Sequence, residues 1–280
     1  MYDKIEKIGK SQIQHGELND RIYLQKLSKS DFPQIILELD RLAKKNSYSK
    51  IFAKIPNWAL DEFTKNGFIE EAAIPKFYNN KIKALFVAKY LDSERETLSN
   101  ERKNKIKKII ELATDKESVK TDSINVDEKF TTRILKKSDI DKLVDLYKNV
   151  FESYPFPIFE SDYIEQTMES YIKYFGIFYD DELVSASSSE LDLNSQNCEM
   201  TDFATNPKFR GNGLATLLLS KMEEEVKKLS VKTLYTIARS QSPGMNITFS
   251  KLGYNFSGTL IKNTNISGRI ESMNVWYKHI

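Results

Sequence analysis

Glu199-Met-Thr-Asp-Phe-Ala-Thr205, Asn206-Pro207-Lys-Phe209 and Arg210-Gly-Asn-Gly-Leu-Ala215 run without a break into Thr216-Leu-Leu-Leu-Ser-Lys-Met-Glu-Glu-Glu-Val-Lys-Lys228. The first piece alternates as a strand, the glycine-bearing piece turns, and the last has helical periodicity. A strand, a tight turn and a helix N-terminus together form an anion cradle. The first amides of a helix have no intrahelical partner, and the macrodipole favours negative charge there. No Lys-Ser/Thr follows the glycines, so this is not a Walker loop. The spacing and downstream acid of a dinucleotide fingerprint are also missing.

Working outward, the 280-residue chain carries 40% apolar and 29% charged residues with a net charge of only +2, so no global bias toward nucleic acid or membrane follows. Lysine outnumbers arginine several-fold, which argues further against phosphate recognition by planar forks. One cysteine, Cys198, excludes an intrachain disulfide framework, and two distant histidines, His15 and His279, speak against a metal centre. No segment reaches the ~20 apolar residues that span a bilayer. The expected compartment is the cytoplasm, without membrane or nucleic-acid partners; oligomeric state is not legible.

Composition divides the chain into an N-terminal α/β region, 1–91, a charged helix and linker, 92–128, and a C-terminal domain, 129–280. Residues 1–20 are polar, with His15 to Asp20 read as a turn feeding the strand Arg21 to Leu27, and a helix capped by Ser30 or Asp31 is expected through Lys45. Ile106, Ile109, Ile110 and Ala113 form one apolar stripe, either on a solvent-exposed connector or on a strut against a domain; residues 114–128 read as a loose linker. The last part reads β-α-α-β-β-β-α-β-α-β-β, a mixed sheet with helices on both faces.

The two parts also echo one another. Lys50-Ile-Phe-Ala-Lys-Ile55 and a helix ending Phe63-Thr-Lys-Asn-Gly-Phe68 parallel Thr233-Leu-Tyr-Thr-Ile-Ala238 and a helix ending Phe249-Ser-Lys-Leu-Gly-Tyr254. Either the N-terminal region is a degenerate partial copy of the C-terminal domain, or both are unrelated α/β units with glycine stops. Its strand-to-helix junction, Leu27-Ser-Lys-Ser-Asp31, lacks the glycine pair and adds a carboxylate, so a structural rather than catalytic role is expected for it.

Arg210, Gly213 and Ala215 match the pyrophosphate loop of the GCN5-related N-acetyltransferases, Gln/Arg-x-x-Gly-x-Gly/Ala. The chain resembles one branch of that superfamily more closely. His15-Gly-x-x-Asn19-Asp-Arg-x-Tyr-Leu24, Ile51-Phe-Ala-Lys-x-Pro56, Gly67-Phe-x-x-Glu-Ala-x-Ile-Pro75-x-Phe-Tyr78, Ala238-Arg-Ser-x-Ser-x-Gly-Met-Asn246 and Met273-Asn-Val-Trp-Tyr-Lys278 are similar to strings of the β-lysine N6-acetyltransferases. The resemblance implies an α/β (α+β) fold of the acetyltransferase type and acetyl-CoA as cosubstrate. It also implies acetylation of the ε-amine of β-lysine, a product serving as a compatible solute, and a metabolic link to a lysine 2,3-aminomutase. Lysine, ornithine, a polyamine or a protein lysine remain alternative acceptors, and an acetyl-CoA-binding regulator without turnover is the reading from another class.

Acetyl transfer to an amine needs a fixed donor, a route for the amine proton and stabilisation of the developing oxyanion. Amides from Arg210, Gly211, Asn212, Gly213, Leu214 and Ala215 are expected around the pyrophosphate, and backbone of Phe203, Ala204 and Thr205 along the pantetheine, with Asn246 as a further donor. A gap between the domain's fourth and fifth strands would admit that arm. The resemblance implies a carboxylate base on the domain's fourth strand, at Glu199 or Asp202; three apart, they share a face only if the strand carries a bulge. Phe249 stands where many superfamily members carry a tyrosine acid, which leaves Ser250, Tyr254, water or unassisted departure of the thiolate. Arg239, Glu271, Asn274 and Tyr154 are the expected acceptor contacts, with no metal.

Overall fold

A computed structural model describes residues 2–115 and 126–280. The N-terminal part contains β1 (Lys4–Ile8), β2 (Ser11–Gly16), β3 (Arg21–Lys26), α1 (Ile35–Asn46), β4 (Lys50–Pro56), α2 (Leu60–Lys65), β5 (Ile69–Tyr78) and β6 (Ile82–Tyr90). Two connecting helices follow, α3 (Ser93–Glu96) and α4 (Asn100–Thr114). The C-terminal part contains β7 (Phe130–Ile134), α5 (Ile140–Val150), α6 (Ser161–Met168), β8 (Ile172–Tyr179), β9 (Glu182–Asp192), β10 (Asn197–Thr205), α7 (Leu214–Lys227), β11 (Thr233–Arg239), α8 (Pro243–Lys251), β12 (Asn255–Ile266) and β13 (Arg269–His279).

The two sheets repeat one topology. The first is ordered β1-β2-β3-β4-β6-β5 and the second β12-β13-β11-β10-β9-β8-β7. Reversing the second and dropping β7 gives β8-β9-β10-β11-β13-β12, which matches the first strand for strand. The parallel pair falls in the same place in both, β3 with β4 and β10 with β11. The degenerate-copy reading therefore agrees with the connectivity as well as with the sequence echo.

Residues 1–20, where the sequence suggested only a turn from His15 to Asp20, hold β1 and β2. Their polar character misleads because β1 is an exposed edge, while the polar side chains of β2, Ser11, Gln14 and His15, are buried with hydrogen-bond partners. Helix α1 begins at Ile35, and the Lys29–Asp31 turn before it is a separate 3₁₀ segment. The charged helix α4 is a strut: its Ile106, Ile109 and Ala113 are buried, it packs along α8, and the Ser99 side chain caps it by accepting from the Arg102 amide. Most of the expected loose linker lies outside the described residues.

Sheet faces explain where a cavity must form. Cys198, Met200, Leu234 and Trp276 face one way and are covered by α7 and α8 through Leu218, Leu219, Met222 and Phe249. On the opposite face, α5 and α6 cover the β8–β9 end through Leu143, Tyr147 and Ile164. The N-terminal sheet covers the β11–β13 end, where Tyr23, Phe52, Phe77 and Phe86 meet Tyr235, Met273 and Val275. Its own outer face is covered by α1 and α2. The two sheets approach so closely at Gly258 that an added Cβ would stand 2.1 Å from the Glu71 carbonyl oxygen. Between these two coverings the strip of β9 and β10 stays open.

Candidate active site

Strands β10 and β11 pair only at Asn197–Thr233, Cys198–Leu234 and Glu199–Tyr235. Beyond Glu199 they part, β10 running on to Thr205 and β11 to Arg239, so the expected gap between the two strands is present. At the end of β10 the chain turns through Gly211 and Gly213, with φ of +89° and +73°, a region costly for any side chain bearing a Cβ. The amides from Gly211 to Ala215 donate to no backbone carbonyl among the described residues, while the Gly213 carbonyl accepts from Thr216 and Leu217 to start α7. Gly211, Asn212 and Gly213 are exposed, and beyond its chain neighbours no atom of the described residues lies within 4 Å of where a Cβ on Gly211 would stand. A row of unpaired amides at a helix N-terminus with open space before it suits a diphosphate.

The bulge that the carboxylate spacing required is also there. The β9–β10 register breaks between Thr201 and Ala204, and Asp202 has φ of +56°. Before the break Cys198 and Met200 face α7 and Glu199 faces away; after it Phe203 joins the α7 side and Ala204 the α5 side. The phase change puts Glu199 and Asp202 on one wall of the same cavity, of about 680 Å³.

Their surroundings differ. Asp202 accepts hydrogen bonds from the Tyr154 and Ser188 hydroxyls, so both its oxygens are held. Burial pushes its carboxyl up, and those hydroxyls oppose the rise. Glu199 is also pushed up by burial, against the pull of the Lys54 ammonium and the Tyr235 hydroxyl beside it. Lys54 donates to that hydroxyl at 2.9 Å, and burial lowers the lysine while Glu199 supports its charge. Glu190 lines the same wall and stands well above the carboxylate range, through burial and the charges of Glu199 and Asp202.

Lys54 lies in β4 and Glu190 in β9, so the cavity is lined from both halves of the chain. The N-terminal region contributes Arg21, Tyr23, Phe52 and Lys54 to its walls. A purely structural role was expected there, because a sequence that lacks the glycine pair says nothing about which face it turns inward. Tyr235, Lys54 and Glu190 were missed because each sits at an ordinary alternating strand position.

Tyr154 and Arg239 both line the cavity. Arg239, however, is committed: its Nε and Nη2 each donate to Glu271 at 2.8 Å, and Nη1 donates to Ser267. Glu271 is 2% exposed, is not on the cavity wall, and also accepts from Arg269. Burial would raise its carboxyl, but the two guanidiniums hold it below the usual range. Glu271 is therefore a buried counter-ion and leaves no free charge for an acceptor. Asn246 and Asn274 are corrected in the same way. The Asn246 side chain donates to the Arg239 and Ser242 carbonyls and accepts from Asn274 Nδ2 and Trp276 Nε1, while Asn274 accepts from Thr259. Every polar atom of this knot is used inside the fold. Of the residues considered as acids, Tyr254 lies off the cavity against Glu223, and Phe249 lines it without a proton to give.

The model of the acetyltransferase (GNAT) family matches residues 140–254, from α5 through the glycine loop to the end of α8. The beta-lysine N(6)-acetyltransferase of Methanococcus maripaludis is 42% identical over 99% of this chain and 98% of its own length. This chain belongs to the β-lysine N(6)-acetyltransferase family. A relative of the same description from Methanosarcina mazei is 32% identical over 88% of this chain and 96% of its own. The N-acetyltransferase YodP of Bacillus subtilis is 29% identical over 96% and 95%. Since these alignments take in the N-terminal sheet, the β-lysine N(6)-acetyltransferase family shares both halves and not only the transferase half. The chain is accordingly an N-acetyltransferase. None of its described helices is long and apolar enough to cross a membrane, and among the described residues no group of three His, Cys, Asp or Glu is placed to hold a metal.

Proposed function

We propose that this enzyme transfers the acetyl group of acetyl-CoA to the ε-amine of β-lysine. The observation that carries the reading is the 42% identity, end to end, with a protein described as a beta-lysine N(6)-acetyltransferase. The cavity's chemistry supports it: Glu190, Glu199 and Asp202 suit a substrate bearing two ammonium groups. In this reading amides of Gly211 to Ala215 grip the diphosphate, with Arg210 adding charge at the rim. The open edge of β10 from Phe203 to Thr205 lies along the pantetheine and directs an amide at the thioester carbonyl oxygen, where negative charge develops.

Glu199 takes a proton from the ε-ammonium, directly or through water; the free amine then forms its bond to the acetyl carbon as the carbon–sulfur bond breaks, and the second proton shed by the new amide nitrogen passes through water to the departing thiolate. Asp202, held by Tyr154 and Ser188, fixes the bulge and the electrostatics rather than moving the proton. The thiolate leaves toward the open mouth of the gap, with no side chain assigned as its acid. The β-lysine would come from a lysine 2,3-aminomutase, and the product would serve as a compatible solute in the cytoplasm.

Purified enzyme with acetyl-CoA and β-lysine is expected to release thiol and to yield a product acetylated at N6 by NMR. Acetylation at the β-amine, or release no faster than with lysine, ornithine or polyamines, would sink the assignment.

A further inference from the structure

Three lysine or arginine side chains are buried among the described residues: Arg21, Lys50 and Arg95. Lys50 is paired with Glu71 and Arg95 with Asp20. Arg21 forms no ion pair among the described residues, although it is only 4% exposed, and Asp3 and Glu71 support its charge only from a longer range. Its Nη1 donates to the Asn263 carbonyl and to Thr264 Oγ1, both on β12, and its Nε has no hydrogen-bond partner among the described residues. The guanidinium lies over the rings of Tyr23 and Phe52, at 5.4 and 5.6 Å from their centroids, and lines the cavity.

An arginine buried without a counter-ion is costly unless something anionic completes it. Burial pushes this one down to about 10, which still leaves it fully charged at neutral pH. The carboxylates of the cavity stand on the other wall, on β9 and β10. The cavity thus has a cationic fork on the N-terminal half and an acidic cluster on the C-terminal half.

We propose that Arg21 binds the carboxylate of the amino-acid acceptor, so that the degenerate half of the chain selects an amino acid over a simple diamine. The inference rests on the proposed function and adds to it the residue that reads the acceptor's head group. Arg239, the arginine that sequence reasoning favoured for this task, is already saturated by Glu271. In Arg21 the guanidinium is anchored through Nη1, and Nη2 makes no hydrogen bond among the described residues, which leaves a donor that a carboxylate can meet. The rings of Tyr23 and Phe52 lie within cation–π distance of the guanidinium and add to its support.

The test compares β-lysine with the diamine left when its carboxylate is removed, 1,4-diaminopentane, in wild type and in Arg21→Met and Arg21→Lys. In R21M, kcat/KM for β-lysine is expected to fall roughly 100-fold or more, mainly through KM, while that for the diamine is unchanged or rises. R21K keeps the charge but loses the fork, and should recover part of the preference. Acetyl-CoA affinity by calorimetry should be the same in all three. An equal loss on both substrates, or an unchanged ratio between them, means that Arg21 only supports the fold and the proposal fails. If R21M does not fold, the same ratio in R21K decides. Wild type that acetylates 1,4-diaminopentane but not β-lysine overturns this proposal and the acceptor assignment together. Wild type that acetylates β-lysine, with R21M keeping its preference, overturns this proposal alone.

Discussion

At the scale of single residues, Glu199 and Lys54 share the Tyr235 hydroxyl, and that sharing sets the proton chemistry. Burial raises Glu199, and Lys54 holds the rise in check. Only the ionised carboxylate can take the amine proton, so kcat should fall as pH drops through a pKa lying above the usual carboxylate range. Replacing Lys54 with Met removes the cation that favours ionisation; the pKa rises further and the acidic limb moves to higher pH. Glu199→Gln should lower kcat by about 100- to 1000-fold and abolish that limb, with acetyl-CoA binding kept. A pH–kcat profile of K54M superimposable on wild type would remove Lys54 from the mechanism. Glu199 was legible through the resemblance, because the superfamily's usual carboxylate on this strand points to it and to Asp202. Lys54 and Arg21 were not, although both lie in family strings, because their meaning depends on a second sheet folding across the first.

At the scale of elements, β10 performs two tasks that a regular strand cannot. Its bulge rotates Asp202 into the wall that Glu199 occupies, and its separation from β11 leaves an edge without a partner strand. The glycine loop completes the element by presenting amides that no side chain covers. Gly213→Val would place a β-branched residue at φ of +73°, which favours a different turn and costs on the order of 1–2 kcal/mol locally. The expected outcome is at least a 10-fold weaker acetyl-CoA affinity by calorimetry, with the acceptor preference unchanged. Loss of acceptor preference at full donor affinity would instead place this loop on the wrong substrate. Backbone-driven features of this kind were readable in advance, since unpaired amides and positive φ restrict residue type directly. The bulge was readable only as a condition, from two carboxylates whose spacing contradicts a regular pleat. Asn246 and Asn274 were misread because a polar side chain near a site looks the same in sequence whether it meets a ligand or satisfies its neighbours.

At the scale of the molecule, a repeated topology lets one half become a wall for the other. The echo of Phe63-to-Phe68 with Phe249-to-Tyr254 exposed the repeat in the sequence, but not that the copies meet face to face across an acceptor cavity. That geometry is locked by a buried ion pair at the junction. Lys50 Nζ reaches Glu71 at 3.1 Å and the Ile261 carbonyl at 2.7 Å, while Glu71 accepts from the Ile261 amide at 2.6 Å and from the Tyr90 hydroxyl. Strand β12 of the C-terminal half is thus pinned to β4 and β5 of the N-terminal half. Glu71→Ala leaves the ammonium buried without its counter-charge, a loss of about 3–5 kcal/mol. In wild type, burial already pushes Lys50 down to about 8, with Glu71 opposing the fall. Without Glu71 the folded-state pKa drops further, so over a wider range below the ordinary lysine pKa the unfolded chain binds a proton that the folded one does not. Stability of E71A should therefore rise with pH through that window, narrowing its deficit relative to wild type between pH 7 and 9.5. Chemical denaturation at the two pH values measures this. A deficit that stays constant would mean that the lost packing and hydrogen bonds, rather than the stranded charge, carry the effect.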